Sequence, residues 1–378
     1  MPWKEVSIMA MRKEFISLVK TRQISIRQMC HRYGISATTG YKWIRRFDDK
    51  GNDGLKDLSR RPCHSPIKTP MELESRVLWV RDMNPAWGAR KIKAWLINHG
   101  EEDLPAASTI HAILERNGRI DPSKAHKHRA YKRFEKQQPN ELWQMDFKAR
   151  LAMNSGYCYP LTVLDDHSRF ALGVEACANQ REVTVKDKLT NIFRIYGMPL
   201  GLLMDNGSPW GYRLEQPYTT LGVWLMRLGV RIHHGRPYHP QTQGKDERFH
   251  RTVDEELLCR RNFRSLEDCQ YAFDEWRDIY NLQRPHQALN YATPASRYHM
   301  SLRPFPEVLP LLEYDDPRLV RRVDDNGRVS FKGHLFKVGK GFIGMPVALS
   351  PTTTDGVWNV VFSSYTIKQV DIRCSHQA

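Results

Sequence analysis

The most informative segment of the sequence is RPYHPQTQGKDERFHRTVDEELL, which runs from Arg236 to Leu258. Its first part is rich in proline, so no helix can continue through it. A helical pattern follows, in which Phe249, Val253 and Leu257 recur every four residues and share one face. Glu247 lies in the first turns of this predicted helix, where the helix dipole favours a carboxylate. That placement suits a metal ligand, but most Glu residues at such positions are helix caps or solvated surface residues.

Two further acidic residues lie in settings that favour chemistry. Asp146 is in the middle of a predicted strand, LWQMDFKARL, where strand propensity is against it. Asp205 ends a short apolar strand in GLLMDNGSPW and precedes an Asn-Gly turn. Either residue alone also fits a structural role as a turn former or a satisfied polar group. Together with Glu247, the three carboxylates predict a single acidic site.

The segments around these acids carry a resemblance to a known family. They read WQMDFK, VLDDHSRF, MDNGSPWG, PYHPQTQGKDERFHRT and YNLQRPHQALNYATPASRY. In these motifs the chain resembles the retroviral-integrase superfamily, and within it the transposases of bacterial insertion sequences. The resemblance implies an RNase H-like core whose catalytic and metal-ligating residues are Asp146, Asp205 and Glu247.

The resemblance also implies the cofactor and the partners. It implies two Mg²⁺ or Mn²⁺ ions, bridged by Asp146, and hard carboxylate oxygens do select such ions. It implies cleavage at the 3′ ends of an element and strand transfer into target DNA. The expected partners are double-stranded DNA, as terminal inverted repeats and as target, and further copies of the chain in a dimer or larger oligomer. A DNA-binding regulator with a retired catalytic core and an RNase H-like nuclease without integration remain alternatives.

Composition supports a polyanionic partner. The 378 residues contain 58 Lys and Arg against 42 Asp and Glu, a net charge of +16. An excess of this size favours nucleic-acid binding, with solubility alone as the alternative. No apolar run of spanning length and no signal-peptide pattern occur, so a cytosolic protein with no membrane partner is expected. The seven Cys form no C-x-x-C, so the His/Cys zinc unit of retroviral integrases is not expected.

The order of the patterns predicts a multidomain α+β protein. Helical patterns come first, alternating strands and helices follow, and short strands separated by turn signals end the chain. The predicted parts are a helix-turn-helix domain at 1–62, a second helix-turn-helix-like domain at 63–120, a basic linker at 121–138, the RNase H-like mixed α/β core at 139–300 and a small β-barrel at 301–378. The barrel fits DNA binding and subunit contact equally well.

Candidate DNA contacts follow from basic residues on these parts. The first domain shows helix, Gly-containing turn and helix, although a plain three-helix bundle with a basic face fits the same pattern. The candidates are Tyr41, Lys42, Arg45 and Arg46 on its third helix, Arg60 and Arg61 in the following loop, Lys132 and Arg133 in the linker, and His250 and Arg251 after Glu247. The linker also fits a flexible tether, and Arg251 also fits a helix pair with Glu255.

Other acids near the motifs are expected to be structural. Asp246 is adjacent to Glu247 but points about 100° around the helix, which favours Glu247 as the ligand. Asp165 and Asp166 follow the second strand of the core and are expected to stabilise it rather than to act in catalysis.

Overall fold

The computed structural model describes residues 7–58, 69–121, 135–205, 207, 210, 218–234 and 244–373. The chain divides into two compact units, Met1–Lys68 and Thr69–Ala378. Within the described ranges, no helix combines the length and the apolar character that crossing a bilayer demands.

Three helices form the first unit. They are α1 (Ile8–Lys20), α2 (Ile26–Arg32) and α3 (Ala37–Lys50). Each begins at a serine whose hydroxyl accepts a backbone N–H of the first turn. Such caps satisfy groups that a helix start leaves unpaired, which fixes where each helix begins.

Gly40 in the middle of α3 is explained by close packing. A Cβ at this position would overlap Sγ of Cys30 and lie 3.2 Å from Cζ of Phe15.

We therefore expect Gly40→Ala to lower the free energy of unfolding by about 1–3 kcal/mol through overpacking, although alanine favours a helix by about 1 kcal/mol. Chemical denaturation measures this. Adding Cys30→Ala should restore stability, and a Gly40→Ala protein more stable than wild type would contradict the packing account.

Three more helices open the second unit: α4 (Met71–Met83), α5 (Ala89–Asn98) and α6 (Ala107–Arg116). Their apolar faces meet in one core that includes Trp87, Ile92, Leu96 and Ile110. We call α4, α5 and α6 the second helical group. They lie in the segment predicted as a second helix-turn-helix-like domain, in which α5 and α6 would be the two helices of the motif.

A mixed sheet follows. Its strands are β1 (Trp143–Phe147), β2 (Leu151–Met153), β3 (Gly156–Asp165), β4 (Ala171–Cys177), β5 (Gly201–Met204) and β6 (Arg231–His234). β3 pairs antiparallel with β1, β2 and β4, whereas β1 with β5 and β5 with β6 run parallel. The predicted mixed sheet is confirmed, and the short β2 hairpin is an addition to it.

Helices cover both faces of this sheet. They are α7 (Glu182–Tyr196), α8 (Thr220–Arg227), α9 (Gly244–Glu256) and α10 (Leu266–Asp278). α7 and α8 pack with Trp143 and Leu202 in one core, and α9 and α10 pack with Leu164 and Val174 in another. Since the side chains of neighbouring strand residues point to opposite faces, membership of one core or the other shows which face of the sheet each side chain is on.

The C-terminal strands differ from the predicted closed barrel. They are β7 (Val320–Arg322), β8 (Arg328–Phe331), β9 (His334–Lys337), β10 (Pro346–Pro351), β11 (Val357–Phe362) and β12 (Tyr365–Asp371). Among the described strands, β12, β11, β10 and β7 form an open antiparallel sheet, and β8 pairs with β9 alone. Closure requires the first and last strands to pair. β7 has three residues, and its described pairing is to β10. The open sheet and the β8–β9 hairpin share an apolar core, but the described strands do not form a closed ladder of hydrogen bonds.

Candidate active site

The strand geometry places Asp146 and Asp205 side by side. β1 and β5 pair in parallel with Trp143 opposite Leu202, an offset of 59 residues that also separates Asp146 from Asp205. Trp143 and Leu202 face the core under α7 and α8. Because strand residues alternate, Asp146 and Asp205 both point to the opposite face, which α9 covers. Both acids lie where their strands end, at the same edge of the sheet.

The neighbouring charge of Asp205 affects the ionisation of Asp146. Burial raises the pKa of Asp146 to about 6, and the negative charge of Asp205 adds to the rise. The Phe147 N–H donates to Oδ1 of Asp146 over 2.8 Å and opposes the shift. Asp205 in turn accepts from the Gly207 N–H over 2.8 Å. The repulsion between two such carboxylates is relieved when a cation binds between them.

Asp246 on α9 also contributes to this acidic centre. It precedes Phe249 by three residues and so lies on the buried stripe of the helix, with 3% of its surface exposed. Burial raises the pKa of Asp246 well above the usual carboxyl value, and the charges of Asp146 and Asp166 add to the rise. Its Oδ1 atom is buried without a hydrogen-bond partner among the described residues. Sequence reasoning set Asp246 aside, although the three-residue spacing to Phe249 was the signal for its burial.

Glu247 lies one residue further along α9, and its side chain is exposed. The described residues include no group of three or more His, Cys, Asp or Glu side chains arranged to hold a metal ion. The structure thus brings together Asp146 and Asp205 of the predicted triad, on the face of the sheet that the helix of Glu247 covers.

Asp165 and Asp166 have the structural partners expected of them. Asp165 accepts the Asn140 N–H at 2.8 Å and the Ser168 N–H at 2.7 Å. Asp166 is 1% exposed and pairs with Lys245 Nζ at 2.5 Å. Because Lys245 lies in the first turn of α9, this ion pair fixes the start of that helix against the sheet.

His250 is directed into the core domain. Its Nε2 atom is 2.8 Å from the hydroxyl of Thr162, which donates to the carbonyl oxygen of Asp146 over 3.0 Å. Burial, with a smaller effect of the Lys148 charge, lowers the pKa of His250 to about 4. A neutral, inward-facing imidazole supports the strand of Asp146. Arg251 is exposed and, in this described part of α9, makes no ion pair with Glu255.

Some of the candidate DNA-contacting side chains of the first unit are exposed to solvent. Tyr41, Lys42 and Arg45 are exposed on α3. Arg46 donates to the carbonyl oxygen of Lys56 over 2.6 Å, and its guanidinium lies 4.7 Å from the Trp43 ring centre. The remaining candidates lie outside the described residues; these are Arg60, Arg61, Lys132 and Arg133.

Solved retroviral structures align with much of the chain. A simian T-cell lymphotropic virus intasome chain, in complex with a PP2A regulatory subunit, is 14% identical with a TM-score of 0.40; the alignment covers 75% of this chain and 91% of that one. The catalytic core domain of BIV integrase is 22% identical with a TM-score of 0.31, covering 42% and 92% of the two chains.

Insertion-element proteins are among the sequence relatives. A 31.7 kDa protein of insertion element IS407 from Burkholderia multivorans is 29% identical over 157 residues, 42% of this chain and 54% of the relative. A 39.2 kDa protein of IS476 from Xanthomonas euvesicatoria is 25% identical over 252 residues, 64% and 69% of the two chains. The chain therefore spans about half the length of the IS407 protein.

Family models match nearly every part of the chain. Two models of the integrase core domain match residues 136–240 and 228–294. A helix-turn-helix model matches 11–62, a homeodomain-like model matches 39–114, and the C-terminal domain of IS481 family transposases matches 318–378. The chain thus carries an integrase core domain with helix-turn-helix regions before it, and its residues 318–378 are similar to the C-terminal domain of IS481 family transposases.

Proposed function

We propose that the protein binds the terminal repeats of its insertion element, cleaves their 3′ ends and joins them to target DNA. The observation that carries this proposal is the pair Asp146 and Asp205, held on one face at the ends of parallel strands. Acting on two ends of an element calls for two active sites, so we propose a dimer or larger oligomer on DNA.

The donor set fits Mg²⁺ or Mn²⁺. Asp146 and Asp205 offer hard carboxylate oxygens, and the raised pKa of Asp146 reflects a repulsion that a divalent cation would relieve. We propose Glu247, an exposed residue in the first turn of α9, as the third ligand. Two bound ions at such a site would neutralise charge on the attacking and leaving oxygens of a phosphodiester.

Both proposed steps are exchanges at phosphorus. In the first, the oxygen of water forms a bond to phosphorus, the bond to the 3′ oxygen breaks, and that oxygen leaves as a 3′-hydroxyl. In the second, this hydroxyl attacks a target phosphodiester and the target's own 3′ oxygen leaves with the proton. Neither step needs a covalent protein intermediate or a redox partner. The paired strands hold the carboxylates of Asp146 and Asp205 in fixed positions, so the ions that they would bind would need little rearrangement when the phosphate arrives.

A strand-transfer assay on the element's own ends tests the proposal. Full-length protein, a labelled duplex carrying the terminal repeat and a supercoiled plasmid are incubated with Mg²⁺ or with a chelator. We expect a joined product that requires the metal. Cleaved ends without joining would favour a nuclease. Tight binding of the repeat with neither product would favour the DNA-binding regulator.

A further inference from the structure

An ion cluster joins the second helical group to the core. Lys91 on α5 lies 3.8 Å from the carboxylate of Glu256, the last residue of α9, and Arg284 donates to the same carboxylate over 2.8 Å. The side chains of Lys91, Glu256 and Arg284 are 22%, 10% and 7% exposed. Two cations thus share one carboxylate at a largely buried contact.

Positive charge is in excess around this cluster. Burial and the charges of Arg284 and Arg248 lower the pKa of Lys91 to about 8, against the opposite effect of Glu256 and the more distant Glu255. Burial holds the pKa of His286 well below its usual value, and the charges of Arg284, Arg169, Arg248 and Lys91 add to the effect. Unbalanced positive charge at a desolvated contact is costly, so an anion bound here would be stabilised.

A cavity of about 480 Å³ opens beside the cluster, and we call it the seam cavity. Its lining comes from residues 88–91 of α5, from Ala107, Ser108 and His111 of α6, and from Gln287 and Tyr291 of the core. Arg90, Ser108, His111 and Gln287 are exposed, so the cavity is accessible and polar. It is large enough for more than one phosphate-sized group.

We infer that the seam cavity binds the phosphodiester backbone of DNA, and this inference rests on the proposed function. In a helix-turn-helix unit the start of the second helix approaches the DNA, and here that helix is α6, whose first turn lines the cavity. A duplex held by α6 would therefore pass Gln287 and Tyr291 on the core. Lys91 of the cluster and Arg90 line the cavity and supply the positive charge that backbone phosphates require. One duplex would then contact both the α4–α6 helices and the core of the second unit.

Charge substitutions on the two walls of the cavity test the inference. The variants are Arg90→Glu on α5 and Gln287→Glu on the core. Their matched controls are Arg264→Glu and Gln283→Glu, exposed residues of the core that do not line the cavity. Binding of the full chain to the terminal-repeat duplex is measured by fluorescence anisotropy between about 50 and 200 mM salt. Both cavity variants should weaken binding about tenfold, and Arg90→Glu should also reduce the slope of log affinity against log salt by about one.

The core-wall variant decides the outcome. If Arg90→Glu weakens binding and Gln287→Glu does not, DNA touches α5 without occupying the seam, and the inference fails. Equal losses in the two controls would show a general charge effect and would also overturn it. In a separate arm, inorganic phosphate is added alone and thermal unfolding is followed. Stabilisation of wild type but not of Gln287→Glu, with unchanged DNA binding by the variants, would assign the cavity to free phosphate instead.

The wild-type protein separates this inference from the proposed function. A wild-type chain that neither binds the repeat nor joins it to the plasmid contradicts the proposed function. A wild-type chain that does both, with cavity variants that bind like wild type, contradicts the seam cavity alone.

Discussion

Replacing Asp205 by Asn is expected to lower the rate of metal-dependent strand transfer by about 10³-fold or more. The substitution removes one of the two adjacent carboxylates, and loss of several kcal/mol of charge stabilisation corresponds to this factor. Single-turnover strand transfer under saturating DNA measures the rate. Binding of the terminal-repeat duplex, measured in parallel by gel shift, should stay within about twofold of wild type, because recognition is assigned to other parts of the chain.

A matched control strengthens this test. Asp187 is an exposed acid on α7, on the opposite face of the sheet, and Asp187→Asn removes the same charge from the same domain. Its strand-transfer rate should equal that of wild type. An Asp205→Asn protein that still joins DNA at the wild-type rate would remove the carboxylate pair from the mechanism.

Substitutions of the neighbouring acids Glu247 and Asp246 on α9 are expected to have different effects: the first should affect strand transfer and the second should affect stability. Glu247→Gln should lower strand transfer by about 10³-fold and change the free energy of unfolding by less than about 0.5 kcal/mol, because the side chain is exposed. Asp246→Val should keep the rate within about tenfold. It should raise the free energy of unfolding by about 1–2 kcal/mol, since it removes a buried carboxyl with an unpaired oxygen.

The pH dependence of stability gives a second measure of Asp246. A raised pKa means that the folded protein holds the proton more tightly than the unfolded chain does. Wild-type stability should therefore fall as the pH rises above the ordinary carboxyl pKa of about 4. The advantage of Asp246→Val should grow over the same range, as followed by chemical denaturation with a chelator present. Loss of strand transfer in Asp246→Val with retention in Glu247→Gln would reverse the assignment of the third ligand.

Local patterns were sufficient to predict most of the elements. The apolar spacing of Phe249, Val253 and Leu257 placed α9. Short apolar runs gave the strands that carry Asp146 and Asp205. These features are set by neighbours in the sequence, through helix periodicity and strand alternation.

Local patterns did less well where pairing is long-range. Alternating runs after residue 318 predicted a closed barrel, whereas the described strands form an open sheet and a separate hairpin. Whether the first and last strands pair depends on both the register and the length of the strands, and a run of apolar residues predicts neither.

The order of the predicted domains, the basic character and the choice of Asp146, Asp205 and Glu247 as candidates all came from the amino-acid sequence. The position of Asp146 beside Asp205 became apparent only in the folded chain, because parallel register between β1 and β5 is a property of strands far apart in the sequence. The folded chain also shows that Asp246 is buried in the same acidic centre and that Lys91 meets Glu256 across the seam. Burial and charge proximity arise when distant segments pack together, and they set the pKa values on which a cation site depends.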